Sequence, residues 1–84
     1  MMLINRTEAL QPIADTLQKR FGLTAAETGL ALEVARGVRL REAAKVLGIE
    51  MPMARSQMVS IFVKTETRHY GELMVLLLRL TAFS

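Results

Sequence analysis

Arg55, Ser56 and Gln57 stand consecutively about one turn into a helical pattern, and Lys64 follows on the same pattern, with Arg41 and Lys45 just before it. These side chains suit recognition of a polyanion rather than covalent chemistry. A guanidinium can bond the O6 and N7 acceptors of guanine together, which makes Arg55 the strongest candidate for a base contact. Ser56 can touch a base or a phosphate. Gln57 can bond a phosphate or pack half-buried. Lys64, Arg41 and Lys45 suit phosphate contacts, which fix register without reading sequence. A solvated charge is the plain alternative for each cation. Val59 falls on or near the same face, as do Met53 and Val63. Apolar side chains there can touch thymine methyls, form a protein-binding patch, or be buried by a neighbouring segment. The sequence leaves these three readings open.

Catalysis finds no comparable group. The single histidine, His69, has only Glu66 and Glu72 at ligand-type spacing and reads as a surface residue near a helix start. Ser56 and Ser60 have no histidine base on their own helix. No glycine-rich phosphate loop is present. Cysteine is absent, which removes disulfides and thiolate metal sites. The expectation is a binding protein, not an enzyme, with no cofactor.

The elements that must position these residues are helices. Leu40 to Leu47 predicts a short helix with Ala43, Ala44 and Leu47 inward and Arg39, Arg41 and Lys45 outward. Gly48 ends it, because a left-handed residue after a helix is least costly for glycine. A longer helix follows from Met51 or Pro52, since proline is tolerated in a first turn whose N–H groups lack intrahelical partners. Ala54, Met58, Ile61, Phe62 and Thr65 form its inner face, and Arg55, Ser56, Val59, Ser60 and Val63 its outer face. This is a helix-turn-helix, a unit that can hold a short helix out for a DNA groove.

Three further helices surround it. Pro12 predicts a helix start, followed by a stripe through Ile13, Ala14, Leu17 and Phe21 that also takes in Leu10, while residues 1 to about 10 read as irregular. Thr24-Ala-Ala-Glu27 is a capping box opening a helix to about Arg36, with Ala26, Leu30, Ala31 and Val34 inward. Gly29 inside that helix costs about 1 kcal/mol relative to alanine and suggests a close helix contact. The last helix, about Tyr70 to Leu80, is apolar almost all round. The fold class is all-α: a small bundle of four to five helices.

Taken with its neighbours, the helix-turn-helix resembles the LuxR-type (GerE-like) DNA-binding domain found at the C-terminus of many bacterial transcriptional regulators. The match runs from Leu23 to about Leu78, roughly two thirds of the chain. It includes Leu23-Thr24-x-x-Glu27, Gly37, Glu42-Ala43-Ala44, Leu47-Gly48-Ile49, Arg55-x-Gln57, Ile61-Phe62-x-Lys64-Thr65 and Arg68-x-x-x-Glu72-Leu73. The resemblance implies a LuxR-type domain over residues 23–84 after an N-terminal segment and support helix over residues 1–22. It also implies dimeric binding to a palindromic double-stranded DNA site, with the Met51–Thr65 helix in the major groove and Arg55 and Ser56 at family contact positions. Met53 stands where the family commonly has threonine. The subgroup with Ile-Phe-x-Lys-Thr usually has a polar or basic residue at Val59, glycine at Glu66 and glutamine at Tyr70. Those departures motivate a second expectation, an interaction module with a degenerate helix-turn-helix that modulates a related regulator by heterodimerisation.

Composition bears on partners. The chain has 84 residues, is 51% hydrophobic and carries a net charge of +3. Seven basic residues face three acids between Arg36 and Arg68, so the positive charge sits on the helix-turn-helix. So apolar a small chain has too little interior to hide every hydrophobic residue, and oligomerisation is the ordinary solution. Leu73, Val75, Leu77 and Leu78 are the expected contact of a homodimer or of a heterodimer with a relative. The longest apolar run, Leu73 to Leu78, is far shorter than the roughly 20 residues a membrane span needs. No secretory signal follows Met1 and Met2. The expected location is the cytoplasm, on the nucleoid when DNA is bound.

Overall fold

The computed structural model describes the backbone of residues 6–82 and the side chains of residues 12–80. Five α-helices follow in order: α1 (Arg6–Arg20), α2 (Ala25–Ala35), α3 (Leu40–Leu47), α4 (Met51–Thr65) and α5 (Tyr70–Ala82). There is no strand among the described residues. The protein is a small all-α bundle.

The bundle is organised around α2, which packs against α1, α3, α4 and α5. Its sequence permits this because small and aliphatic residues recur on several sides. Leu30, Ala31 and Val34 are buried, as are Glu27 and Thr28 near its start. Gly29 faces α3, where an added Cβ would lie 3.6 Å from Leu47 Cδ2. The largest side chains sealed in the core are Ile13 and Leu17 from α1, Leu30 from α2, Ile61 from α4, and Leu73 and Leu77 from α5. Burial of each contributes about 1.5–3 kcal/mol, so α1 and α5 are structural parts of one core.

Some local expectations are corrected. The first helix begins at Arg6, so Pro12 lies inside it and not in its first turn. Proline has no N–H to donate to the preceding turn, and the helix runs on through it to Arg20. The expectations for residues 1–5 and for the Leu10 side chain lie outside the described residues. Ala26, expected in the buried stripe of α2, is exposed. The inward direction is taken by Glu27 and Thr28, whose polar atoms have partners that make burial tolerable.

The two ends of α4 differ in how well the residues suit the backbone. The turn before it is closed by Gly48 at φ 70°, ψ 31°, with the Ile49 N–H donating to the Ala44 carbonyl at 3.0 Å. The turn after it repeats the pattern, with the Thr67 N–H donating to the Phe62 carbonyl at 2.9 Å. Here the left-handed residue is Glu66, at φ 57°, ψ 38°. A side chain in that conformation costs about 1–2 kcal/mol, which is the physical consequence of having glutamate where glycine is the ordinary choice.

At the start of α5 the Glu72 N–H donates to His69 Nδ1 at 3.3 Å, and the Arg68 N–H donates to Glu72 Oε1 at 2.6 Å. His69 is therefore a surface residue at a helix start, as its neighbours predict. Tyr70 sets its ring edge-on to Phe62, with centroids 5.6 Å apart, an arrangement that aromatic quadrupoles favour.

Candidate nucleic-acid interface

The helix-turn-helix is held together by small residues. Ala43 and Ala44 on α3 and Ala54 on α4 are all buried, which lets the two helices and α2 approach closely. The buried stripe of α4 is Ala54, Met58, Ile61 and Thr65. Offset from it by two residues is the ridge Pro52, Ser56, Val59 and Val63, which points away from the bundle. Pro52, Ser56, Val59 and Val63 are all exposed, and none carries a charge.

Arg55 is exposed beside this ridge, and Arg41 and Lys45 are exposed on α3. Arg55, Ser56, Arg41 and Lys45 make no side-chain hydrogen bond or ion pair among the described residues. Their polar groups are free for a ligand. The spacing of Arg41 and Lys45 puts both on one side of α3.

Lys64 does not join them. Its Nζ lies 2.7 Å from Glu27 Oε1, so the expected phosphate contact would have to compete with an ion pair within the chain. Gln57 also turns inward. It lines a small cleft with Ala25, Ala26, Gly29, Leu47 and Ile49, and its Oε1 is buried without a hydrogen-bond partner among the described residues. Its half-buried reading, not its phosphate reading, matches the geometry.

Glu27 is the residue whose full role local sequence does not reveal. The capping box forms as expected. The Thr24 N–H donates to Glu27 Oε1 at 2.9 Å, and the Glu27 N–H donates to Thr24 Oγ1 at 3.1 Å. The same carboxylate also accepts from the Ser60 hydroxyl and from Lys64. One buried acid thus caps α2 and fastens it to the C-terminal half of α4. Burial by itself would raise its pKa. The hydrogen bonds from Lys64, Ser60 and the Thr24 N–H, with the Lys64 charge, outweigh that and hold the pKa at about 2. Ser60 is therefore half-buried, not part of the outer face. The available signal was the Ser60–Lys64 spacing of four residues, which aligns two donors on one flank of α4.

The expected dimer contact separates into two pairs. Leu73 and Leu77 are 0% and 2% exposed, because they fill the chain's own core, and they are corrected out of the contact. Val75 and Leu78 remain exposed. Met74, Leu76 and Leu80 are half-buried. One side of α5 covers the bundle, while its outer side carries Val75 and Leu78 beside the exposed Glu72 and Arg79.

No cluster of acidic, histidine or cysteine side chains that could hold a metal ion occurs among the described residues. No described helix is long and apolar enough to cross a membrane. Neither a family model, nor a curated protein, nor a solved structure matches this chain.

Proposed function

We propose that this protein is a sequence-specific DNA-binding regulator of bacterial LuxR type, with α4 as the major-groove helix. The observation that carries the reading is the presentation of α4. Arg55 and Ser56 stand exposed in its N-terminal half, unpartnered among the described residues, on the second helix of a helix-turn-helix whose turn is closed by Gly48. Arg55 offers a bidentate donor to guanine, while Arg41 and Lys45 offer phosphate contacts. The working form is a dimer through the outer side of α5, where Val75 and Leu78 are 49% and 62% exposed. Pairing would supply two α4 helices for two half-sites about one DNA turn apart. Titration of duplex DNA at two salt concentrations tests the reading. Binding should weaken steeply as salt rises, because phosphate contacts release counterions. Sedimentation of Leu78→Glu tests the dimer, since an unpaired charge at a buried contact opposes association.

A second reading has its own support. Met53, Val59 and Val63 are 54%, 61% and 72% exposed, an apolar display on the helix that would face DNA. A module that heterodimerises with a related regulator would use such a face. Absence of duplex binding at low salt, with association to a related regulator, would favour it.

A further inference from the structure

We infer that Val59 is a specificity residue that selects thymine through its 5-methyl group, an inference that rests on the reading of the chain as a duplex-DNA binder. Val59 is 61% exposed and sits on the uncharged ridge with Pro52, Ser56 and Val63, three residues after Ser56. Arg55, the proposed guanine contact, lies beside this ridge, and the cations available to phosphates, Arg41 and Lys45, lie on the preceding helix. Such a distribution suits a major groove, whose rims carry phosphates and whose floor carries base edges.

The choice of base follows by elimination. On the groove floor adenine, guanine and cytosine present polar donors and acceptors with no apolar group larger than a ring C–H, whereas thymine presents a methyl group as well. Valine against a polar edge would displace water from a donor or acceptor and give it no partner. Valine against the thymine methyl buries two apolar groups and strands none. Val63 lies a turn further from the start of α4, and recognition helices contact bases mainly through their N-terminal residues. Val59 is therefore the better placed of the two valines.

The test begins with sites selected from a random duplex pool at low salt. Each thymine of a selected site is then replaced by deoxyuridine, which lacks only the methyl. The expected result is a position in the half-site where uracil weakens binding about threefold to tenfold, the scale of one buried methyl. Val59→Ser should bind the thymine and uracil sites equally. Because Val59 is exposed, this variant should melt with the parent, and its melt is recorded alongside. The inference is overturned if no thymine position is sensitive, or if Val59→Ser keeps the full uracil penalty. Failure of the parent chain to bind any duplex at low salt would remove the DNA reading and this inference together. Binding without uracil sensitivity would remove the inference alone.

Discussion

The two halves of α4 carry similar polar side chains and use them differently. In the N-terminal half, Arg55 and Ser56 are exposed and have no partner among the described residues. In the C-terminal half, Ser60 and Lys64 both bond the Glu27 carboxylate. Serine and a basic residue thus occur twice on one helix, once facing outward and once as an internal fastening. The difference lies in what stands opposite. The start of α2 brings a buried acid against Ser60 and Lys64, and no carboxylate among the described residues pairs with Arg55. Residue type alone therefore does not identify a ligand contact. A cation is available to a phosphate only where the fold has not already given it a counter-charge.

Removing that acid is the largest way to break the comparison. Glu27→Ala deletes the acceptor shared by Thr24, Ser60 and Lys64 and leaves partly buried donors without partners. It should destabilise the chain by about 2–4 kcal/mol, read from the urea midpoint. The acid limb supplies a second readout. The folded-state pKa of Glu27 is depressed from 4.5 to about 2. Its contribution is therefore fully present above about pH 4.5 and is lost as pH falls toward about 2. Glu27→Ala should lack that part of the acid loss. An unchanged acid limb would show that the carboxylate is not fastened as described.

A paired substitution sharpens the contrast on DNA. Arg55→Ala should weaken specific binding by about 1–3 kcal/mol and affect random duplex much less. Lys64→Gln should leave the salt slope of binding unchanged, because its charge already belongs to Glu27, and should lower stability instead. A Lys64→Gln variant whose salt slope falls by about one would place Lys64 on a phosphate after all.

Smaller effects come from the helix ends. Thr24→Ala removes the hydroxyl that accepts from the Glu27 N–H and should cost about 0.5–2 kcal/mol in stability, with the proposed DNA contacts of the N-terminal half of α4 unaffected. A thermal melt superimposable on that of the parent would show the cap to be idle. Glu66→Gly should act in the opposite direction. It relieves a side chain held at φ 57°, at some entropic expense in the unfolded chain, for a net gain of about 0.5–1 kcal/mol. Destabilisation by this glycine would mean that the Glu66 side chain contributes more than its strained backbone costs.

The helices were readable because their signals are local. Thr24 and Glu27 lie three residues apart, so their reciprocal bonds depend on little beyond the first turn of α2. Gly48 marks a left-handed turn from residue type alone, and Ala54, Met58, Ile61 and Thr65 repeat with the period of a helix. The start of α1 was less legible, because proline is compatible both with a first turn and with a weakened interior.

What the sequence could not decide was which polar and apolar residues the fold would claim for itself. Ser60 and Lys64 stand 33 and 37 residues from Glu27, and their bonds exist only because α2 and α4 are packed side by side. The same holds for α5. Its run of apolar residues announces burial on more than one side, but only packing onto α1 and α2 assigns Leu73 and Leu77 to the core and leaves Val75 and Leu78 outside. Local backbone preference is set by neighbours along the chain. Partnership between distant side chains is set by the relative placement of helices, which depends on the whole core.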